Sequence, residues 1–166
     1  RIYDLLGVTF DSYQGEAYIH NQVPQALQDL KKKVKTEISK GALIVDLEKW
    51  KLPPVLLLKT DGAALYHLRD IAAIFYRIKE YQADKIIYVV GMEQKLYFQQ
   101  LFKVLELYGF KQDMFVHADF GHFRFPEGKM STRKGNVIFL DEVLNKAISQ
   151  VEEVIEKKNP NLKNKK

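Results

Sequence analysis

Short apolar runs alternate along the chain with longer segments in which apolar residues recur every three or four positions. The runs have the length and composition of β-strands, and the longer segments have the spacing of amphipathic helices. The pattern predicts strands over residues 43–47, 55–58, 85–90 and 115–120, and helices over 1–6, 24–40, 63–81, 93–108 and 141–157. Residues 16–19 are predicted to be extended. The helix over 24–40 has Pro24 in its first turn, and Gly41 is expected to follow its end.

Strands separated by helices predict an α/β fold with right-handed crossovers and a parallel sheet. The run at 55–58 is apolar throughout, so this strand is expected to be covered on both faces. In open parallel sheets, ligands bind beyond the carboxyl ends of the strands. We therefore expect residues 59–62, residues 91–94 and the region after Phe120 to meet on one edge of the sheet.

The helix predicted over 63–81 carries polar residues in its first two turns. Asp61 is expected to cap this helix by accepting hydrogen bonds from its free amides. Tyr66 and Asp70 are four positions apart and share a face, and Arg69 neighbours both. A carboxylate and a phenol on one face suit a planar cation such as guanidinium. An ordinary surface array of Arg69 and Asp70 is the alternative interpretation.

Two other segments of the expected sheet edge contain candidate binding residues. Gly91 is expected to allow a turn, so that Glu93 or Gln94 at the start of the next helix contacts a ligand. The alternative is that an acidic residue at a helix start only interacts favourably with the helix dipole. Residues 117–121 alternate along a strand, so one face could receive a flat ring. A packed, satisfied His117 is the alternative.

Residues 126–136 form a glycine-bounded loop that contains three cations and two hydroxyl groups. Lys129, Ser131 and Thr132 are candidates for closing over a polyphosphate and for stabilising charge in a transition state. The loop lacks the GxxxxGK[ST] pattern, and a solvated turn is the alternative. The four histidines have no metal-ligand spacing and no GxSxG segment occurs, so neither a metal site nor covalent catalysis is expected.

Composition narrows the class of protein further. The 166 residues are 46% hydrophobic and 28% charged, which excludes disorder, and no apolar stretch is long enough for a membrane span. The lack of cysteine excludes a disulfide scaffold and predicts a reducing, intracellular setting. The net charge of +5 comes from five lysines in residues 157–166, since the remainder holds 21 basic and 21 acidic residues. Charge alone therefore does not indicate nucleic-acid binding.

Several segments together are similar to a known family. Residues 129–135, KMSTRKG, resemble the KMSKS loop of class I aminoacyl-tRNA synthetases, in the form found in arginyl-tRNA synthetases. The segments LLKTDGA, LRDIAA, IIYVVGMEQ and HADFG resemble other motifs of that family in order and spacing, as do GEA at 15–17 and VDLE at 45–48. The resemblance covers nearly the whole chain.

The resemblance implies the C-terminal half of a class I Rossmann-like, nucleotide-binding catalytic domain. Residues 1–50 would be a connecting segment, 51–140 the second half of the nucleotide fold, and 141–166 a helix and tail that lead to a further domain. The implied reaction joins arginine to ATP as arginyl-adenylate and then transfers arginine to tRNA. Magnesium would accompany ATP as a substrate, with no tightly bound cofactor. The full-length protein would be a cytoplasmic monomer.

The matched positions assign three groups of residues by resemblance. The arginine pocket would be lined by Tyr66, Asp70 and Gln94. The adenine would be bordered by His117, Phe120, Gly121 and Met130. The phosphates would be held by Lys129, Ser131 and Arg133.

Two departures from the family pattern qualify this assignment. Thr132 stands where the loop pattern has its second lysine, and none of the 166 residues forms a HIGH motif. The chain alone is therefore expected to be inactive, and an exposed sheet edge is expected to favour self-association. A stand-alone arginine- or nucleotide-binding module is the alternative. Another class I enzyme is a third interpretation, against which Asp70 argues because an unpaired carboxylate is unfavourable in a pocket for an uncharged substrate.

Overall fold

The computed structural model describes residues 2–121, 124–125, 128–129 and 139–160, which fall into two compact units. The larger unit comprises residues 12–121, and the smaller contains residues 2–11 together with those described from 124 onward. The helices are α1 (Ile2–Leu5), α2 (Glu16–Ile19), α3 (Val23–Lys33), α4 (Tyr66–Tyr81), α5 (Lys95–Tyr108) and α6 (Leu140–Lys158). The strands are β1 (Glu37–Ser39), β2 (Ala42–Val45), β3 (Val55–Leu58), β4 (Ile86–Gly91), β5 (Phe115–Phe120), β6 (Arg124–Phe125) and β7 (Gly128–Lys129).

The larger unit contains two separate sheets. Strands β4 and β5 pair in parallel, from Ile86 opposite Phe115 to Gly91 opposite Phe120, as predicted for an α/β fold. Strand β3 instead joins an antiparallel sheet in the order β1-β2-β3, so the prediction that it belongs to the parallel sheet is wrong. The prediction that β3 is covered on both faces is also wrong, because Leu56 is 44% exposed while Leu57 is fully buried.

Helix α3 is shorter than the hydrophobic spacing predicted. It begins as expected with proline in its first turn, but it ends at Lys33, and Val34 is already extended. Residues 37–39 form β1, which pairs with β2 through a turn in which Lys40 and Gly41 have φ values of 49° and 81°. Successive left-handed residues match the twist of a β-hairpin, so Gly41 marks this turn and not a helix end. The apolar residue that extended the helical pattern, Ile38, is 68% exposed on β1.

Two further local predictions are corrected by the structure. Residues 16–19 form the short helix α2 and not an extended segment. Asp61 accepts a hydrogen bond of 2.9 Å from the amide of Ala63, closing a turn, whereas α4 begins only at Tyr66. Asp61 therefore does not cap this helix. The predicted strands at 85–90 and 115–120 and the predicted final helix agree with the structure to within a residue or two.

The core of the larger unit lies where α3, α4 and α5 pack against one another and against the two sheets. Its fully buried large side chains are Leu30, Val45, Leu47, Val55, Leu57, Leu68, Ile71, Ile74, Leu101, Val104 and Leu105. Each contributes about 1.5–3 kcal/mol on burial, which fixes the relative positions of α4 and α5. None of the described helices is long and apolar enough to cross a membrane.

Candidate functional site

A cavity of about 150 Å³ lies beside the first half of α4 and contains the predicted pair Tyr66 and Asp70. Tyr66, at the start of the helix, is 70% exposed, whereas Asp70, one turn later, is half-buried. The opposite wall comes from the segment that leads into α2. The remaining lining residues are Gly15, Glu16, Ile19, Arg69, Ala73 and Arg77. The structure therefore brings the two residues together on one face, as their spacing predicts.

Asp70 is a carboxylate whose hydrogen-bond donor is neutral. Tyr97, in the first turn of α5, donates its hydroxyl to Oδ2 of Asp70. Burial raises the pKa of Asp70, while the hydrogen bond from Tyr97 and the positive charge of Arg77 act in the opposite direction. Among the described residues Asp70 has no ion-pair partner. Such a carboxylate is suited to a cationic ligand.

Arg69 does not pair with Asp70, so the surface array considered as an alternative does not form. Its Nη1 atom lies 2.5 Å from Oε1 of Glu16, at the junction between the 150 Å³ cavity and a larger one. The larger cavity has a volume of about 500 Å³ and is lined on its other sides by Ala17, Ile19, His20, Asn21 and Val23. Nε of Arg69 is buried without a hydrogen-bond partner in the described part of the chain. The ion pair thus forms a polar partition between the two cavities.

His67 lies behind the cavity, against Tyr97. The two rings have a centroid separation of 4.1 Å and an interplanar angle of 30°. Burial lowers the pKa of His67 to about 4, so its side chain is neutral at neutral pH. His67 therefore packs against Tyr97 without placing a positive charge near Asp70.

Gln94 and Gly91 precede α5 at the carboxyl end of β4. Gln94 is exposed at the N-cap of α5, and it does not line the 150 Å³ cavity. Gly91 has a φ of −55°, which any residue can adopt, so its predicted role as a conformationally free turn residue is wrong. The carboxylate of Glu93 folds back over position 91, but it is the end of a flexible side chain and could move aside for a Cβ atom there. Neither backbone geometry nor a fixed neighbour therefore requires glycine at position 91.

The carboxyl end of β5 lies directly beside that of β4. Phe120 pairs with Gly91 in the parallel register and is 51% exposed, and Gly121 next to it faces open space. Nε2 of His117 lies 2.9 Å from the carbonyl oxygen of Val90, and its ring packs 4.3 Å from that of Phe98. His117 is thus packed against α5, while Phe120 and Gly121 offer an open surface. Residues 59–62, which were expected at the same sheet edge, instead follow β3, a strand of the antiparallel sheet.

The phosphate-loop candidates belong mainly to the undescribed part of the chain. The backbone of Lys129 pairs with that of Arg124 in a two-stranded ladder. The side chain of Lys129, together with Met130, Ser131 and Arg133, lies outside the described residues. Within the residues that are described, no group of three acidic or histidine side chains could hold a metal ion.

Comparison with known proteins assigns the chain to a family. The family model described as the catalytic domain of class I tRNA synthetases (R) matches residues 1–166. The chain belongs to this family. It is 49% identical to the arginine–tRNA ligase of Halothermothrix orenii and 49% identical to that of Clostridioides difficile, with 99% of the chain and 29% of each relative covered. The chain thus spans less than a third of the length of these relatives.

Solved structures of arginyl-tRNA synthetases share the fold of this synthetase domain. The enzyme from Plasmodium falciparum superposes with a TM-score of 0.76 over 95% of the chain and 26% of its own length, at 21% identity. That of Thermus thermophilus gives a TM-score of 0.70 over 87% of the chain and 31% of its own length, at 22% identity. The predicted fold, part of a class I synthetase catalytic domain, is therefore confirmed.

Sequence reasoning about this synthetase domain missed Tyr97, Arg77 and Glu16, which surround Asp70. Tyr97 lies three positions beyond Gln94, on a helix whose packing against α4 has no signature in the sequence. Arg77 is two turns beyond Asp70 and lines the same cavity. Glu16 lies within the GEA segment that resembles the family, but no contact was predicted for its side chain. Of the three, only Arg77, on the same helix as Asp70, was accessible to a spacing argument.

Proposed function

We propose that the chain is the arginine-binding part of the catalytic domain of an arginine–tRNA ligase. The observation that carries this proposal is the half-buried carboxylate of Asp70, which shares a cavity with Tyr66 and has no ion-pair partner among the described residues. Desolvation of a carboxylate is unfavourable unless a cation or several donors compensate it. Bound guanidinium would supply both a positive charge and a planar set of donors.

In this proposal Asp70 accepts hydrogen bonds from the substrate guanidinium and Tyr66 lines the same cavity. Gln94 would contribute to the arginine site from outside this cavity, at the N-cap of α5. The cationic substrate would lower the pKa of Asp70, opposing the effect of burial. Tyr66 is well placed for this role because its side chain is largely exposed at the mouth of the cavity. A neutral substrate of the same shape would leave the carboxylate uncompensated and would bind weakly.

ATP, with magnesium as its counterion and no tightly bound cofactor, would bind at the carboxyl ends of β4 and β5. Phe120 and Gly121 provide an exposed apolar surface for adenine there. In this proposal His117 and Met130 would also border the adenine. Lys129, Ser131 and Arg133 would hold the phosphates. An arginine carboxylate oxygen attacks the α-phosphorus and pyrophosphate leaves. A hydroxyl of the terminal tRNA ribose then attacks the carbonyl carbon, and AMP leaves.

The chain by itself is expected to be inactive. Its 166 residues contain no HIGH motif, and the parallel sheet described has only two strands. We place the full-length protein in the cytoplasm as a monomer whose partners are arginine, ATP and tRNA, in keeping with a chain that lacks cysteine. The isolated chain would self-associate through the exposed edge of this sheet.

A chimera tests the proposal, with this chain replacing the corresponding segment of the Halothermothrix orenii ligase. We expect arginine-dependent exchange of pyrophosphate into ATP. Asp70→Asn should raise the KM for arginine by at least about 30-fold, since one partner of a desolvated charge pair is lost. Asp84→Asn, which removes an exposed carboxylate beyond the end of α4, is the matched control. A chimera without exchange, or equal effects of the two substitutions, would contradict the proposal.

The same chain distinguishes the alternative function. Isolated chain titrated with arginine, citrulline and lysine should show amide NMR shifts near Tyr66 and Asp70 for arginine in preference to citrulline. If the isolated chain binds arginine tightly while the chimera lacks exchange activity, the stand-alone binding module is favoured.

A further inference from the structure

Asp70 receives its only described side-chain hydrogen bond from a different helix. Tyr97 lies in the first turn of α5, 27 positions further along the chain, and its hydroxyl donates to Oδ2 of Asp70. Both side chains are half-buried, so water competes little for this bond. The contact joins the first two turns of α4 to the first turn of α5. The orientation of the Asp70 carboxylate thus depends on a residue that does not line the cavity.

We propose that Tyr97 is a positioning residue for arginine recognition, holding the Asp70 carboxylate in the orientation that accepts guanidinium. This inference rests on the proposed function. The terminal torsion of an aspartate is broad, so a free carboxylate samples many orientations. A carboxylate has about four acceptor positions, and the tyrosine hydroxyl takes one of them. The others stay available for the donors of a planar cation.

The hydroxyl of Tyr97 is itself held in place by packing. One face of its ring lies against His67, and the ring forms a T-shaped pair with that of Phe98, with a centroid separation of 5.3 Å and an interplanar angle of 89°. Phe98 is 3% exposed and belongs to the core. Because His67 is uncharged at neutral pH, the stack persists without introducing a cation. Tyr97 therefore presents a fixed donor to Asp70.

A neutral donor suits this position better than a charged one. The other charged and titratable groups that act on Asp70 are Glu16 from α2, Arg77 from α4 and Tyr88 from β4. Nη1 of Arg77 lies 3.4 Å from the hydroxyl of Tyr88, and among the described residues Arg77 forms no ion pair with Asp70. A lysine or arginine in place of Tyr97 would neutralise the carboxylate and compete with the substrate. The tyrosine orients Asp70 while preserving its negative charge.

The decisive experiment uses Tyr97→Phe in the chimera described above, because phenylalanine keeps the ring stack and removes only the hydroxyl. The KM for arginine should rise about ten- to a hundredfold, as expected for a lost hydrogen bond to a charged group, while kcat changes less than about twofold. Tyr108→Phe, at the other end of α5, is the matched control and should leave both constants unchanged. In an Asp70→Asn background, Tyr97→Phe should have no additional effect, because the group that it positions is already altered.

A second measurement follows the contact directly in the isolated chain. Loss of the donor should raise the pKa of Asp70 in Tyr97→Phe, measured from the carboxyl ¹³C shift, and Tyr108→Phe should not change it. If Asp70→Asn impairs the chimera but Tyr97→Phe behaves like Tyr108→Phe, the positioning role is refuted and the proposed function stands. If Asp70→Asn has no effect or the chimera is inactive, the proposed function fails and this inference fails with it.

Discussion

The hydroxyl of Tyr81 lies 2.6 Å from Oε1 of Gln14, a residue 67 positions earlier in the chain. Tyr76, five positions before Tyr81 on α4, reaches the same oxygen at 3.0 Å. These contacts hold residues 12–18 against the second half of α4. The ion pair between Arg69 and Glu16 holds the same segment against the first half of α4. Because this segment supplies Gly15 and Glu16 to the cavity of Asp70, the tyrosine contacts stabilise one wall of the site.

Gln14→Ala should loosen this wall without unfolding the protein. It removes the acceptor shared by Tyr76 and Tyr81, and exposed hydrogen bonds of this kind contribute about 0.5–1.5 kcal/mol each. Amide hydrogen exchange over residues 13–18 should therefore increase by roughly tenfold, while α5 is unaffected. Gln28→Ala, on the exposed face of α3, is the control. Unchanged exchange over residues 13–18 would show that the tyrosine contacts do not hold the segment.

Leu57→Ala and Leu56→Ala should differ sharply although the residues are adjacent on β3. Leu57 is fully buried, so its truncation should lower the free energy of unfolding by about 2–5 kcal/mol through lost burial and a cavity. Leu56 is 44% exposed, and its truncation should lower it by less than about 1 kcal/mol. Urea unfolding of both variants measures the difference. Equal effects would contradict the one-sided burial of β3.

Gly41→Ala should destabilise the hairpin for two separable reasons. A φ of 81° is unfavourable for alanine, and a Cβ atom at this position would lie 2.9 Å from Cγ2 of Thr60. The expected loss in the free energy of unfolding is about 1–3 kcal/mol. Thr60→Ser removes the colliding methyl group, so the double variant should recover the steric part and retain the backbone strain. Unfolding of the four proteins in urea tests this, and a double variant no more stable than Gly41→Ala would exclude the collision.

Stability should fall on acidification because of His67. Its pKa is about 4 in the folded state against an ordinary value of 6.5, so the folded state binds fewer protons between these pH values. The contribution of His67 to the free energy of unfolding is complete above about pH 6.5. It is lost as the pH falls towards 4, with a slope of at most about 1.4 kcal/mol per pH unit. The raised pKa of Asp70 changes stability with pH in the opposite direction, because its contribution to the free energy of unfolding is lost as the pH rises.

His67→Phe isolates this effect while keeping a ring against Tyr97. The difference in unfolding free energy between the wild-type chain and the variant should change with pH between 7.5 and 5. Guanidinium or urea unfolding at several pH values measures it. A difference that is independent of pH over this interval would mean that His67 titrates normally in the folded chain.

Periodicity along the chain was sufficient to predict most of the helices and strands. The runs at 85–90 and 115–120 and the spacing over 141–157 are local patterns of apolar residues within continuous stretches, and there the local pattern and the final structure agree. The pattern failed at Ile38 and Gly41, where the pairing of β1 with β2 outweighed helical spacing. The pairing of β3 with β2 is likewise a long-range contact, and an apolar run does not specify which sheet its strand joins.

The same division applies to the candidate site. The sequence alone determined that Tyr66 and Asp70 share a face, because four positions along a helix bring side chains together whatever surrounds them. The family motifs likewise determined the assignment to class I synthetases. Only the tertiary structure decided that Asp70 is paired with Tyr97 and that Arg69 is paired with Glu16, since these contacts cross between elements 27 and 53 positions apart. Such contacts depend on how the hydrophobic core orients α4 against α5 and α2, and no local spacing encodes that orientation.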